Sequence, residues 1–194
     1  QMIFNLDLEL TGNFMIKDRI ITIFGSSFPK PGDEEYEFAY QLGKQLGEAG
    51  FTICNGGFYG TMEATAKGAF EAGAKTIGVT VDLFNLKANN FIQEEIRCAS
   101  LFERINKLIS LASGFIVLKG GTGTLLEYAA ILEMNNKNLI DRKPIVADKQ
   151  FWSQLTSQMN LRNSYEGRQK INVLLSDDIQ EITSYFKNYF KVGI

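Results

Sequence analysis

A glycine-rich stretch that joins a buried strand to a helix places the strongest constraint on this chain. Residues 114–118 form a short apolar run, which is typical of a strand buried on both faces. Glycines and threonines follow at 120–124, and an apolar helical pattern then resumes around Glu127. Backbone N–H groups at the start of such a helix have no partners within it. Together with the helix dipole they can bind an anion such as phosphate, so the sequence predicts an anion-binding site here.

The glycine loop and the acid beside it are the first candidate site residues. Glycine lets the backbone approach a ligand closely, and so many glycines would weaken a merely structural turn. Glu127 lies about one turn into the helix and is expected to face the same opening as the loop. A plain tight turn and a solvated carboxylate near a helix start are the alternatives. The loop residues expected to bind the anion are Gly120, Gly121, Thr122, Gly123 and Thr124.

Short apolar runs alternate with helical patterns along the chain. Strands are predicted at residues 20–24, 51–54, 75–81, 98–101, 114–118, 145–147 and 171–175. Helices are predicted from an Asp33 N-cap to Gly50, from Thr61 to Gly73, over 102–112, from the glycine loop onward, over 150–161 and after Asp177 and Asp178, with a helical turn at 92–96. This alternation predicts an α/β fold, a single-domain Rossmann-like three-layer sandwich with a mostly parallel central sheet and helices on both faces.

Length and composition fit one ordinary globular domain. Of the 194 residues, we assign 1–17 to an N-terminal extension and 18–194 to a Rossmann-like nucleotide-binding domain. A net charge of −2 favours neither nucleic acid nor an anionic membrane as a partner. The sequence has no apolar run near the roughly 20 residues of a membrane span, and its N-terminus has no signal-peptide pattern. Cys54 and Cys98 lie in apolar surroundings, so we expect buried thiols and a cytoplasmic protein.

The sequence contains no histidine, which excludes several catalytic systems at once. Serine–histidine and cysteine–histidine nucleophiles, imidazole general bases and histidine-based metal sites are all removed. Any catalysis would use carboxylates, hydroxyls, lysine, arginine, tyrosine and backbone dipoles, as phosphate-ester and glycosidic chemistry can. We expect neither a metal ion nor a cofactor.

Two further glycine-rich turns follow predicted strands, at residues 25–27 and 55–60. In a parallel sheet the turns after the strands share one edge, where ligands bind at the point at which strand order reverses. Neither these turns nor 119–124 fit the dinucleotide fingerprint or the P-loop pattern. The polar segment 82–90 is predicted to be either a mobile loop over the site or a plain connector. The residues expected to share the crevice with the glycine loop are Gly25, Ser26, Ser27, Gly56 and Gly57, although serines after a strand also cap loops.

Several motifs occur in an order typical of one family. They are Gly25-Ser26-Ser27, Gly56-Gly57 with Gly60-Thr61-Met62, Glu103-Arg104 and the run Lys-Gly-Gly-Thr-Gly-Thr-Leu-Leu-Glu at 119–127. With them the chain resembles, from about Ile20 to Ile145, the LONELY GUY family of cytokinin-activating phosphoribohydrolases, also described as lysine decarboxylase-like. The family hallmark is Pro-Gly-Gly-x-Gly-Thr-x-x-Glu, preceded by Glu-Arg-Lys on the helix before it. This hallmark is specific for the superfamily and less so for the reaction.

The resemblance implies hydrolysis of the N-glycosidic bond of a nucleoside 5′-monophosphate, AMP or an N6-substituted AMP, to free base and ribose 5-phosphate. It implies that the glycine loop holds the phosphate, with the serines and the Gly56-Gly57 turn lining the nucleotide crevice. Glu127 would orient or deprotonate the attacking water and stabilise the ribosyl cation. Arg104 would pair with Glu127 or the ligand, a surface salt bridge being its alternative. A carboxylate suits this bond, which breaks through an oxocarbenium-like state without needing histidine.

Two positions depart from the family pattern. Lys119 replaces the hallmark proline, which loosens the turn and is expected to add a positive charge near the phosphate site. Ile105 stands where the family has the lysine after Arg104, so one of two basic residues is missing. These departures favour a second function class, a nucleotide- or cofactor-binding protein without turnover, similar to the molybdenum-cofactor carrier relatives. The presence of Arg104 and Glu127 favours the enzyme.

The resemblance also implies a homodimer or a larger homo-oligomer, in which helices around the site pack across a two-fold axis. A final helix rich in aromatic residues is predicted to form a packing or dimer face rather than a ligand platform. Its aromatic residues with helical spacing are Tyr185, Phe186, Tyr189 and Phe190.

Overall fold

A computed structural model describes residues 19–192, which form alternating strands and helices. The strands are β1 (Ile20–Phe24), β2 (Thr52–Asn55), β3 (Thr76–Val81), β4 (Glu94–Cys98), β5 (Gly114–Val117), β6 (Ile145–Ala147) and β7 (Leu174–Leu175). The α-helices are α1 (Glu34–Glu48), α2 (Thr61–Glu71), α3 (Leu101–Leu111), α4 (Thr122–Asn136), α5 (Lys149–Tyr165) and α6 (Ile179–Phe190), and Asp82–Phe84 form a 3₁₀ turn. The predicted N-terminal extension, residues 1–17, lies outside the described residues.

The strands form one seven-stranded sheet in the order β4-β3-β2-β1-β5-β6-β7, and the paired strands are parallel. The chain moves outward from β1 to β4 on one side, and then returns to place β5 on the other side of β1. Strand order therefore reverses between β1 and β5, where the loops leaving the two strands diverge and open a crevice. The predicted Rossmann-like α/β sandwich is confirmed.

Alternating strand residues bury both faces of the sheet. On β5, Phe115 and Val117 face one apolar cluster, whereas Ile116 faces the other. The first cluster contains side chains from α3, α4 and α5, and the second contains side chains from α1, α2 and α6. Strands that are covered on both sides are mainly apolar, which is why these runs do not alternate regularly with polar residues, and the few polar residues in them, such as Thr22, are buried.

The region between β3 and α3 differs from the sequence-based prediction. We predicted a helical turn at 92–96 and a strand at 98–101, but Glu94–Cys98 is a strand and Leu101 begins α3. Among the described strands, β4 pairs only with β3, at the edge of the sheet, and most of its side chains are exposed. An edge strand of this kind has the polar composition of a helical turn, so its sequence pattern was misread. Ser100 then caps α3 by accepting a hydrogen bond from the N–H of Glu103 (3.2 Å).

Smaller differences concern the ends of other elements. Asp33 occupies the predicted N-cap position of α1, but its carboxylate accepts a hydrogen bond from the N–H of Lys30 (2.8 Å) instead of capping the helix. The helix predicted at 150–161 is longer and extends from Lys149 to Tyr165, whereas β7 contains only Leu174 and Leu175.

The aromatic residues of α6 form a packing face, as predicted. Phe186 is fully buried, and its ring lies 6.4 Å from those of Phe51 and Phe190. Tyr189 remains half exposed. Among the helices within residues 19–192, none is long and apolar enough to cross a membrane.

Candidate functional site

A crevice of about 720 Å³ opens at the carboxyl ends of β1, β2 and β5. All three predicted glycine-rich turns contribute to its wall, because the strands that precede them are neighbours in the sheet. The residues from these turns that line it are Gly25, Ser26 and Ser27, then Gly56, Phe58 and Tyr59, and finally Gly121, Thr122, Gly123 and Thr124. The structure thus brings together segments separated by almost a hundred residues.

The turn after β1 is fastened to the start of α2. Both the backbone N–H and the hydroxyl of Thr61 donate hydrogen bonds to the carbonyl of Ser26, at 2.9 and 3.1 Å. A Cβ at Gly25 would clash with the hydroxyl of Thr61, so only glycine fits there. The hydroxyl of Ser26 accepts a hydrogen bond from the N–H of Phe28 (3.1 Å). Ser26 therefore stabilises the loop through its side chain while it also lines the crevice.

The turn after β5 leads into α4, whose N-cap position is Gly121. Within residues 19–192, no side chain caps this helix start, and a Cβ at Gly121 or Gly123 would meet nothing within 4 Å. These two glycines therefore border open space in the described part of the protein, whereas Gly120 packs against the side chain of Thr124. An uncapped helix start that faces a crevice has backbone donors available to an anion.

Arg104 of α3 is buried at the back of the crevice, with 6% of its surface exposed. Its Nε donates a hydrogen bond to the carbonyl of Val79 (2.7 Å), and its Nη2 donates one to the carbonyl of Gly56 (3.3 Å). The guanidinium carbon lies 5.6 Å from the ring centre of Phe58, a cation–π distance. Burial lowers the pKa of Arg104, and the nearby carboxylate of Glu127 opposes this effect.

Glu127 of α4 is also buried, and it faces Arg104. Its Oε1 lies 3.5 Å from Nη1 of Arg104, and no more than 10% of either side chain is exposed. Burial raises the pKa of Glu127 to about 7, and the charge of Arg104 opposes the increase. Because desolvation outweighs the attraction of the ion pair, the carboxyl group can gain or lose a proton near neutral pH. This property is suited to general acid–base catalysis.

The other wall of the crevice is apolar. Ile105 contributes an aliphatic side chain at the position of the family lysine, next to Leu101 of the same helix. Segment 82–90 supplies Phe84 and Leu86, so it lies over the crevice, as the first of the two alternatives predicts, whereas its mobility stays a prediction. The ring of Phe84 lies 5.8 Å from that of Phe58. Sequence reasoning missed these aromatic residues. The position of Phe58 directly after the Gly56-Gly57 turn was the signal that could have indicated it.

Three of the predicted site residues lie beside the crevice rather than on its wall. Gly57 and Gly120 pack behind the turns, next to Thr80 and Thr124 respectively. Lys119 lines a separate cavity of about 160 Å³ that also contains carboxylates. The charged residues around it there are Glu34, Glu35, Asp148 and Asp177. Within residues 19–192, no three His, Cys, Asp or Glu side chains are grouped so that they could hold a metal ion.

Together, the parallel sheet and the crevice at its switch point define a Rossmann-like α/β protein with a buried arginine–glutamate pair beside a glycine-rich helix start. The chain belongs to the SLOG cluster4 family, which it matches over residues 18–181. The resemblance to the LONELY GUY family is thereby confirmed.

Relatives of known name include two nucleotide-cleaving enzymes. The chain is 30% identical over 125 residues to the pyrimidine/purine nucleotide 5′-monophosphate nucleosidase of Escherichia coli, a match that covers 59% of this chain but only 28% of the relative. It is 25% identical over 143 residues to the cytokinin riboside 5′-monophosphate phosphoribohydrolase of Rhodococcoides fascians, covering 71% and 72% of the two chains.

Solved structures share the fold. The molybdenum cofactor carrier protein of Chlamydomonas reinhardtii superposes with a TM-score of 0.71 at 21% identity, over 90% of this chain and 99% of the other. The molybdenum cofactor binding protein of Rippkaea orientalis gives a TM-score of 0.69 at 24% identity, over 90% and 98%. At these identities the likeness concerns the fold alone.

Proposed function

We propose that this protein hydrolyses the N-glycosidic bond of a nucleoside 5′-monophosphate, AMP or an N6-substituted AMP, and releases the free base and ribose 5-phosphate. The observation that carries the proposal is the buried carboxyl group of Glu127, whose pKa is raised to about 7 in a crevice next to the glycine-rich start of α4. The names of the Escherichia coli and Rhodococcoides fascians relatives support the same reaction class.

The proposed reaction needs one anion site and one carboxylate. The phosphate binds to the backbone N–H groups around Gly121 and Gly123, at the positive end of the α4 dipole. Glu127 in its ionised form accepts a proton from the attacking water as the new bond to C1′ of the ribose forms. The bond from C1′ to the base nitrogen breaks, and the base takes the electron pair. The proton that Glu127 took from the water passes to the base, directly or through solvent, which restores the carboxylate. The negative charge of Glu127 also stabilises the oxocarbenium-like transition state.

Arg104 has a supporting role in this proposal. Its Nε and Nη2 hydrogen bonds to backbone carbonyls fix the guanidinium, so that Nη1 stays on the side of Glu127. Burial favours the protonated form of Glu127, and the positive charge of Arg104 opposes this effect. Arg104 therefore keeps the carboxyl group from being protonated throughout the neutral range.

Incubation of the protein with AMP, followed by chromatographic detection of adenine, tests the proposal. We expect release of adenine by the wild type and a loss of at least about 100-fold in Glu127→Ala, since removal of a catalytic acid–base group typically costs 10²–10⁴. Glu133→Ala is the matched control, because Glu133 is an exposed residue of the same helix that pairs with Lys137. Equal rates in the two variants would overturn the assignment of Glu127.

A second candidate function is the binding of a nucleotide or of a phosphate-bearing cofactor without turnover. Ile105 favours it, because an aliphatic side chain replaces the family lysine on the wall of the crevice. The fold similarity to molybdenum cofactor carriers is compatible with it. Calorimetric titration with AMP and with a pterin phosphate distinguishes the two functions, since tight binding of either compound without base release supports the carrier.

We also propose that the protein forms a homodimer or a larger homo-oligomer through α4 and α5. Helix α4 has exposed apolar side chains, and an exposed apolar surface often marks a contact with another protein. Leu125 is 39% exposed and Met159 of α5 is 41% exposed, and both line a groove of about 270 Å³ between the two helices. Sedimentation equilibrium should give at least twice the chain mass of 21.7 kDa, and Leu125→Lys should reduce it. A monomer at micromolar concentration would contradict the proposal.

A further inference from the structure

Two asparagines hold the Gly56–Phe58 turn from opposite sides. Asn55, at the end of β2, accepts a hydrogen bond from the N–H of Gly57 at its Oδ1 (2.8 Å). Asn89, at the end of segment 82–90, donates from its backbone N–H to the carbonyl of Gly57 (2.8 Å). Its Nδ2 donates to the carbonyls of Gly57 (3.1 Å) and Phe58 (2.7 Å). Both asparagines are buried, so these bonds are shielded from competing water.

The turn that they hold contacts Arg104 at two points. The carbonyl of Gly56 accepts the hydrogen bond from Nη2 of Arg104, and the ring of Phe58 lies over the guanidinium. The carboxylate of Glu127 lies on another side of the guanidinium, with its Oε1 3.5 Å from Nη1 of Arg104. A shift of the turn would therefore change the surroundings of the arginine–glutamate pair. Within residues 19–192, Asn89 itself makes no hydrogen bond to Arg104 or to Glu127.

We propose that Asn89 is a positioning residue of this site, which through the Gly57–Phe58 turn fixes the environment of Arg104 and Glu127. The inference rests on the proposed function for its effect on turnover, but not for its effect on the carboxyl group. Asn89 also belongs to the segment that covers the crevice, and its Oδ1 accepts a local hydrogen bond from the N–H of Phe91 (3.0 Å). One side chain thus connects the segment that covers the crevice to the buried pair beneath it.

The direction of the effect follows from what else holds Arg104. Its Nε bond to the carbonyl of Val79 does not depend on the turn, so the guanidinium stays near Glu127 when Asn89 is replaced. Loss of both Nδ2 bonds releases Phe58 and admits water to the back of the crevice. Because burial is the larger cause of the raised pKa of Glu127, hydration should lower that pKa toward its ordinary value.

The experiment compares Asn89→Ala with Asn90→Ala, since Asn90 is the exposed neighbour in the same segment. Asn89→Leu removes the two Nδ2 hydrogen bonds and the acceptor for Phe91 but keeps a neutral side chain of similar size, so no new charge acts on Glu127. Asn89→Ser is a milder replacement that remains informative if Asn89→Ala does not fold. Two quantities are measured, the pH titration of Glu127 by NMR of ¹³C-labelled glutamate and the pH dependence of kcat for adenine release from AMP.

We expect Asn89→Ala and Asn89→Leu to lower the pKa of Glu127 and to reduce kcat about tenfold, as small misplacements of catalytic groups do. Asn90→Ala should match the wild type in both measurements. An unchanged Glu127 titration in both Asn89→Ala and Asn89→Leu would overturn the inference, whether or not the protein cleaves AMP. Conversely, a shifted titration in a protein that never releases adenine would sustain the positioning role of Asn89 and reject the proposed hydrolase function.

Discussion

The guanidinium of Arg104 packs so closely against Gly56 that only glycine fits at position 56. A Cβ at position 56 would clash with Nη2 of Arg104 and would lie 2.6 Å from the sulfur of Met62. The carbonyl of the same glycine accepts a hydrogen bond from that Nη2. Gly56 therefore provides both the space for the arginine and one of its hydrogen-bond acceptors.

Gly56→Ala should displace Arg104 and destabilise the protein. We expect a loss of about 1–3 kcal/mol in the free energy of unfolding, which is typical of overpacking at a buried site. Gly121→Ala is the control, because none of the described residues lies within 4 Å of a Cβ built there and the backbone has a negative φ of −87°. Urea unfolding measures both. A Gly56→Ala variant as stable as Gly121→Ala would show that the arginine can move aside freely.

The ionisation of Glu127 should make stability depend on pH. Its pKa is raised to about 7 in the folded protein from an ordinary value of 4.5, so the folded state binds the proton more tightly. This contribution to stability is fully present below pH 4.5 and is lost as the pH rises through 7. The stability of Glu127→Gln relative to the wild type should therefore increase as the pH rises from 4.5 to about 7, whereas that of Glu133→Gln should not. Parallel curves of unfolding free energy against pH would contradict a raised pKa.

The same ionisation should govern the rate of the proposed reaction. Because only the ionised carboxylate of Glu127 can accept a proton from water, kcat should fall on the acidic side with an apparent pKa near 7. A pH profile of adenine release, with Arg104→Gln as a comparison, measures this. Loss of the arginine charge removes the effect that lowers the pKa of Glu127, so the acidic limb should move to higher pH. A movement in the opposite direction would mean that water replaces the arginine.

Phe84 should contribute to binding of the base rather than to stability. Its ring is 46% exposed, lines the crevice and packs against Phe58. Truncation to alanine should raise KM for AMP about fivefold, the equivalent of about 1 kcal/mol of aromatic contact. Leu83→Ala is the control, because Leu83 precedes it and is 72% exposed. Equal KM values would indicate that the base binds elsewhere.

The buried hydroxyl of Tyr128 should stabilise the packing of α4 on α5. It lies 2.8 Å from the hydroxyl of Thr156, which also donates to the carbonyl of Trp152 (2.9 Å). Tyr128→Phe should cost about 1 kcal/mol of unfolding free energy, as for a typical buried hydrogen bond. Tyr189→Phe removes a hydroxyl from a half-exposed tyrosine and should cost less than half as much. Thermal unfolding of the two variants measures both costs. A smaller loss of stability in Tyr128→Phe than in Tyr189→Phe would show that the α4–α5 contact is unimportant.

Much of this protein was determined locally along the sequence. Apolar runs of strand length, each followed by a glycine-rich turn and a helical pattern, were enough to predict the parallel sheet, its crevice and the glycine loop at 120–124. The pairing of Arg104 with Glu127 was also expected, although from a family resemblance rather than from spacing. The sheet, the crevice and the glycine loop are predictable because each depends on a periodicity or a backbone requirement within one short segment.

Tertiary structure decided the surroundings of the site, because the contacts join residues that are distant in sequence. Arg104 and Gly56 are 48 residues apart, and Asn89 and Gly57 are 32 apart. No pattern in the sequence around Asn89 indicates that its side chain will bind the turn that follows another strand. The placement of Lys119 in a neighbouring cavity and the edge strand β4 were missed for the same reason. The proton affinity of Glu127 likewise comes from burial beneath other segments, which exists only once the chain has folded.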